Sequence, residues 1–151
     1  MWSWLTSTRG RDYSAAMPDW AIEYFDRGFE RFYLALSPYE QAVVEAALTA
    51  VLEVHGIAAF DGGWGKPLGG GLYEFRIQRS LEAMMRLARA EPLTEGRAGR
   101  RVSIRIFCTF HRDKIVLLLH GYDKSRDPSA RRQQKEIARA RAMLTKWRGS
   151  R

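Results

Sequence analysis

The chain has few of the residues that support covalent or metal chemistry. Its 151 residues include one cysteine, Cys108, which excludes a disulfide within the chain and fits a reducing compartment. Cys108 lies in an apolar strand pattern, which favours a buried hydrophobic role over a nucleophile. The three histidines are scattered without zinc-ligand spacing, so we expect neither a metal site nor a cofactor.

Long apolar runs are also missing. No uninterrupted apolar stretch reaches the roughly 18 residues of a membrane span, and residues 1–18 contain none of signal-peptide length. We therefore expect a cytoplasmic location. Residues 1–18 are predicted to be a polar leader, and residues 19–151 a single domain.

Acidic residues are scarce in the C-terminal part of the chain. The whole chain has 25 Lys plus Arg against 17 Asp plus Glu, a net charge of +8. Residues 97–151 contain 16 of the basic and 4 of the acidic residues, or +12, whereas residues 1–96 carry −4. Such asymmetry favours a polyanionic partner, most often nucleic acid, although a solvated basic face would give the same count.

Helical spacing occurs in four segments. Residues 26–37 and 38–56 predict two helices joined at Ser37–Pro38, and residues 80–90 predict a helix inserted between two strands. The last helix is predicted to begin with Asp127 as its N-cap and Pro128 at its first position.

Strand patterns fill much of the rest. Residues 72–78 and 102–110 alternate between apolar and polar side chains, and residues 114–122 are apolar on both faces, which indicates an inner strand. Residues 19–25 suggest a short edge strand. The glycine-rich segment 61–71 reads as a loop, but not as a phosphate loop, because Pro67 stands where Ser or Thr is required. The sum is an α+β fold: an N-terminal helical hairpin, an antiparallel sheet of three or four strands and a C-terminal helix.

The alternation places Glu74, Arg76 and Arg105 on the polar faces of two strands that can share one sheet. A guanidinium in such an apolar strand must reach a partner or stay wet, because burying it alone is costly. One interpretation is an ion pair between Glu74 and either arginine. The other is a pair of arginines that clamps a phosphodiester, for which the planar guanidinium is suited.

Further polar groups follow the inner strand. His120 and Tyr122 have the same parity as Val116 and Leu118, and Lys124 comes next, where strands deliver functional groups to loops. RNA cleavage without a metal needs a base, an acid and cations that stabilise the transition state. We assign His120 or Glu74, Tyr122 or Lys124, and the two arginines Arg76 and Arg105 to those roles in that order.

Three linked segments resemble one protein family. These are "KPLGGGLYEFRI" (66–77), "RRVSIRIFCTF" (100–110) and "IVLLLHGYDKSRDPSARRQQKEIARARAML" (115–144). In order and content they resemble the RelE/HigB/ParE superfamily of bacterial toxins, in its phage-derived HigB-like branch.

The resemblance implies a type II toxin–antitoxin system. It implies a RelE-like curved antiparallel sheet, an endoribonuclease that cleaves mRNA at the ribosome, and neutralisation by a helix-turn-helix antitoxin. The catalytic candidates are then Arg76, Arg105, His120, Tyr122 and Lys124. Candidates for RNA contact are Lys66, Glu74, Arg100, Arg101, Arg132, Lys135 and Arg139.

Two other functions fit the same residues. ParE relatives share the fold but poison DNA gyrase, so a non-catalytic inhibitor is one alternative. A nucleic-acid-binding module without toxicity is the other, and it predicts salt-sensitive binding with unimpeded growth.

Overall fold

The computed structural model describes residues 18–89 and 99–151, and the predicted leader lies almost wholly outside them. The described residues form an α+β fold with five strands and four helices, which confirms the predicted class. In chain order the elements are β1 Ala21–Tyr24, α1 Gly28–Leu34, α2 Pro38–Ala47, β2 Gly65–Gly69, β3 Leu72–Ile77, α3 Leu81–Arg89, β4 Ile104–His111, β5 Ile115–Asp123 and α4 Ala130–Gly149.

The sheet has the strand order β1-β5-β4-β3-β2 and is mixed. Strands β2 to β5 pair antiparallel, whereas β1 runs parallel to β5. The sheet is therefore larger than the expected three or four strands and is not wholly antiparallel, and two of its strands lie at its edges. One of them, β1, is the edge strand expected near residues 19–25. As predicted, β5 is an inner strand.

The other edge strand, β2, corrects the prediction of a loop over residues 61–71. It has no alternating apolar pattern, and its structure comes from pairing with β3. Gly65 has a positive φ of 156°, and a Cβ atom there would lie 2.0 Å from the Glu74 carbonyl oxygen. The close approach of β2 to β3 therefore requires glycine at this position.

Side-chain caps define where two helices begin. Ser37 caps α2, since its hydroxyl accepts from the Glu40 amide while the Glu40 carboxylate accepts from the Ser37 amide. The N-cap of helix α4 is Ser129, two residues after Asp127, and its hydroxyl accepts from the Arg132 amide. Asp127 instead accepts from the Ser129 amide, so the predicted cap at Asp127–Pro128 was wrong.

Helices cover both faces of the sheet. On one face α1, α2 and α3 pack against apolar strand residues, among them Phe75, Ile106 and Leu118. On the other face α4 packs through Ala140 and Leu144 onto a smaller cluster. Cys108 lies in the larger core and is fully buried, as its strand pattern predicted.

One helical segment has membrane-like composition. Residues Pro38–Phe60 consist of α2, a π-helical turn, a short α-helical turn and a final 3₁₀ turn. Together they have the length and hydropathy of a membrane span. Half of that apolar window is buried, with Val43, Val44 and Leu52 in the core. A core helix of a globular domain has the same composition, so this segment is weak evidence for a membrane. The expectation of a cytoplasmic location stays a prediction.

Gly121 allows α1 to approach β5 closely. A Cβ atom there would lie 2.7 Å from the Arg105 carbonyl oxygen and 2.9 Å from the Phe32 ring. We expect Gly121→Ala to lower the free energy of unfolding by about 2 kcal/mol, because the strand or the ring must shift. Urea denaturation measures this, with Gly62→Ala as the control, since its nearest atom would be 3.5 Å away. Equal losses in the two variants would contradict the account.

Candidate functional site

The α4 face of the sheet carries two neighbouring rows of polar side chains. In the first row Arg76, Arg105 and Tyr122 are direct partners on β3, β4 and β5. Adjacent strands lie about 4.8 Å apart, so these three side chains are close neighbours. The second row consists of Glu74, Phe107 and His120, with Lys66 of β2 opposite Glu74.

A β-bulge brings the end of β5 to this face. Phe107 pairs with His120 and Cys108 with Leu118, which leaves Leu119 as an extra residue in β5. The alternation of the strand therefore reverses at Leu119. His120 and Tyr122 therefore lie on the α4 face, although they have the same parity in the sequence as Val116 and Leu118, which lie on the other face.

Arg105 is a buried cation with few partners. It belongs to β4, the central strand of the sheet, and is 4% exposed. Its Nε has no hydrogen-bond acceptor among the described residues, and its one bond is a long 3.5 Å contact from a terminal nitrogen to the Ile104 carbonyl oxygen. Burial lowers the pKa of Arg105, Glu74 raises it, and the charge on Arg76 lowers it further. Arg105 is thus desolvated without full compensation.

Glu74 is the carboxylate of this cluster. It is fully buried, and it accepts from Arg76 Nε at 2.9 Å and from Gln133 Nε2 of α4 at 3.1 Å. The ion pair expected from the sequence therefore forms with Arg76. Arg105 makes no ion pair with the described part of the chain.

Tyr122 is buried beside Arg105. Its ring stacks on Phe107 at 6.2 Å between centroids, and the Arg132 guanidinium of α4 lies 5.0 Å from the ring centre. Burial, followed by the charge on Glu74, raises the pKa of Tyr122. The Tyr122 hydroxyl is buried and has no hydrogen-bond partner among the residues that the structure describes.

Lys124 completes a group of four cations. It follows β5 directly, and its amide donates to the Ser103 carbonyl oxygen. Burial lowers the pKa of Lys124, and the charges on Arg105, Arg76 and Lys66 lower it further. The carboxylate of Glu74 opposes this by raising the pKa, but the net shift is downward. We call Lys66, Arg76, Arg105 and Lys124 the cationic cluster. Glu74 neutralises one of its four charges, so the cluster is suited to bind an anion.

His120 is held inside the fold. It is 1% exposed, and its two ring nitrogens lie 3.3 Å from the carbonyl oxygens of Gly121 and Glu136. Burial lowers its pKa first, then the charge on Arg139, and together they outweigh the Glu136 carboxylate and the two carbonyls. With α4 in place, His120 contacts the helix and cannot reach a bound molecule.

The other predicted RNA contacts are not members of the cluster. Arg132 lies at its edge, paired with Glu136 at 2.7 Å, and Lys135 and Arg139 are exposed on α4. Arg100 stacks over Tyr39 on the opposite side of the sheet, and Arg101 donates to the Gln78 carbonyl oxygen.

Three residues near the cluster were not predicted from the sequence. Gln133 orients Glu74 from α4, while Trp64, just before β2, pairs with Arg79, just after β3. No local pattern marks them, because each is defined by contacts across the fold. Within residues 18–89 and 99–151, no group of three His, Cys, Asp or Glu side chains could hold a metal ion. Burial also raises the pKa of the Cys108 thiol, so it is not a reactive thiolate.

No family model, curated protein or solved structure matches this chain.

The lowered pKa of His120 has a consequence for acid stability. The unfolded chain takes up a proton near the ordinary imidazole pKa of 6.5, whereas the folded chain resists it. The contribution of His120 to the free energy of unfolding is therefore complete above that pH and is lost as the pH falls below it. We expect His120→Gln to flatten the dependence of unfolding free energy on pH between 7 and about 5. An unchanged slope in urea titrations would contradict this.

The buried charge of Arg105 should cost stability. Replacing a poorly compensated buried ion by a side chain of similar size is often stabilising, so we expect Arg105→Met to raise the free energy of unfolding by about 1 kcal/mol. Arg76→Met is the matched control, because it removes the partner of Glu74 and should lower that free energy by about 1 kcal/mol. Loss of stability in both variants would show that Arg105 is a structural residue.

Proposed function

We propose that this chain is the toxin of a type II toxin–antitoxin system and an endoribonuclease that cleaves mRNA. The main support is the state of Arg105, a buried guanidinium whose Nε has no partner among the described residues. Arg105 is in register with Arg76, and Lys66 and Lys124 belong to the same cationic cluster. A phosphodiester supplies the acceptors and the negative charge that this arrangement lacks. The sequence resemblance adds the biological setting.

The cluster suggests how cleavage would proceed. The 2′-oxygen of a ribose attacks the adjacent phosphorus, the bond to the 5′-oxygen breaks, and a 2′,3′-cyclic phosphate and a 5′-hydroxyl result. Arg76 and Arg105 stabilise the negative charge that develops on the phosphate oxygens. Lys124 gives a proton to the leaving 5′-oxygen, a role that its lowered pKa assists.

The candidates for the base that takes the 2′-hydroxyl proton are both buried. His120 and Glu74, the two candidates, both lie under α4. For either to reach the ribose, the first turns of α4 would have to move away from the sheet.

The architecture supports a RelE-like fold as part of the proposal. Strands β2 to β5 are antiparallel. The short strand β1 and the two helices α1 and α2 precede them in the chain, and α4 follows them. The parallel strand β1 and the helix α3 between β3 and β4 are additions to the arrangement that the resemblance implies.

The proposal includes partners. The substrate is mRNA, cleaved at the ribosome, and a helix-turn-helix antitoxin neutralises the toxin in the cytoplasm. Chemistry by Arg76, Arg105 and Lys124 requires no cofactor, because cations stabilise the charge and a side chain transfers the proton.

A nucleic-acid-binding module without catalysis is the second candidate. The burial of both His120 and Glu74 favours it, because binding needs the cations but no base. This candidate predicts salt-sensitive RNA binding and no cleavage.

Lys124→Arg separates catalysis from binding. Arginine keeps the charge but does not release a proton near neutral pH, so RNA affinity should persist while cleavage falls by about 100-fold. We would express the wild type, Lys124→Arg and the matched control Lys146→Arg without antitoxin, follow growth, and map new 5′ ends of transcripts. The wild type and the control should arrest growth and cleave mRNA, whereas Lys124→Arg should cleave about 100-fold less and should not arrest growth.

Other results would overturn the proposal. Growth arrest with intact transcripts would favour a non-catalytic inhibitor, such as one acting on DNA gyrase. Unimpeded growth with salt-sensitive RNA binding would favour the binding module.

A further inference from the structure

A cavity of about 320 Å³ adjoins the cationic cluster. It lies where β3 ends and α3 begins, and Trp64, Arg76, Arg79, Ser80 and Arg101 contribute to its wall. Arg76 belongs both to this wall and to the cationic cluster. Arg76 therefore connects the cationic cluster with the cavity. Its volume is at the lower end of the range for small-molecule pockets, about 300 Å³.

Aromatic and guanidinium planes are layered on one side of the cavity. The Arg79 guanidinium lies 4.4 Å from the centre of the Trp64 ring. Trp64 in turn stacks on Phe75, with 5.9 Å between ring centroids and 29° between planes. Nucleic-acid bases stack on aromatic rings and on arginine guanidinium groups, and such stacking is a main source of affinity for single strands.

The cavity is also strongly cationic. Three arginines line it, and none of its lining residues among those described is acidic. It adjoins the N-terminus of α3, where the Ser80 hydroxyl accepts from the Ala83 amide. The partial positive charge of a helix N-terminus adds to that of the arginines.

The backbone holds these groups in place without a ligand. The Arg76 amide donates to the Trp64 carbonyl oxygen at 2.8 Å. The Val102 amide donates to the Arg79 carbonyl oxygen at 3.2 Å. Arg101 donates from two nitrogens to the Gln78 carbonyl oxygen, which leaves other N–H groups of its guanidinium for an anion. The cavity is thus preorganised.

We propose that this cavity binds one nucleotide of a single-stranded RNA, next to the phosphodiester that the cationic cluster binds. The base stacks on the Trp64–Arg79 layer, while Arg76 and Arg101 contact the nucleotide phosphate. The inference rests on the proposed function for the identity of the polymer. It predicts a modest preference for strongly stacking bases at one position beside the cleaved bond, because stacking itself tolerates every base.

A direct test follows the indole N–H signal of Trp64 by NMR during titration with adenosine 5′-monophosphate or inorganic phosphate. The chain has five tryptophans, and Trp64→Phe assigns the signal. The nucleotide should shift it with half-saturation roughly five-fold or more below that of phosphate, because stacking adds to phosphate binding. Equal half-saturation, or no shift of this signal, would overturn the inference.

Variants separate stacking from charge. Arg79→Ala should weaken nucleotide binding roughly five-fold or more, and Arg79→Lys should restore little of it, because lysine keeps the charge but not the plane. The control Arg31→Ala removes an equal charge at an exposed position of α1 and should have no effect. Full restoration by Arg79→Lys would overturn the stacking role.

Cleavage mapping distinguishes this inference from the proposed function. If the wild type cleaves RNA, Arg79→Ala should lose base preference at one position beside the cut while cleavage continues. Unchanged preference would overturn the inference and leave the proposed function standing. If nothing is cleaved but Trp64 responds to the nucleotide in an Arg79-dependent manner, the proposed function fails and the nucleotide site stands.

Discussion

Arg105 carries a charge into the middle of a five-stranded sheet, and that charge constrains the residues around it. A buried guanidinium is tolerated only where a carboxylate offsets it, and here Glu74 on the next strand is fully buried as well. Glu74 already accepts hydrogen bonds from Arg76 and from Gln133, so its negative charge offsets that of Arg105 only in part. The α4 face of the sheet therefore contains more positive charge than its own acceptors satisfy, and a bound phosphate would balance it.

Helix α4 and the bulge at Leu119 determine which polar groups join this charge. The bulge turns His120 and Tyr122 toward α4, and the helix then closes over His120 through the Glu136 carbonyl oxygen. Tyr122 is buried between Arg105 and Arg132. Lys66, Arg76 and Lys124 thus remain at least partly exposed, whereas Arg105 is buried in the sheet. Glu74 and His120, the groups that could accept a proton, contact the helix.

Local patterns predicted one part of this site and missed another. Alternation correctly placed Glu74, Arg76 and Arg105 on one face, because β3 and β4 pair without interruption there. The same rule failed for His120, because one extra residue reverses every later side chain and leaves no mark in the apolar pattern. Strand β2 was missed since its order comes from pairing rather than composition. The parallel pairing of β1 with β5 and the contact of Trp64 with Arg79 join distant segments, which periodicity does not report.

The most direct test of the central claim is whether the cationic cluster binds phosphate in the folded protein. Thermal unfolding would be followed in millimolar inorganic phosphate or chloride at equal ionic strength, for the wild type and for Arg105→Met. A ligand that binds the native state raises the unfolding temperature with its concentration. The account predicts that phosphate raises the unfolding temperature of the wild type and has little effect on that of Arg105→Met. An equal response of both proteins, or no difference between phosphate and chloride, would contradict it.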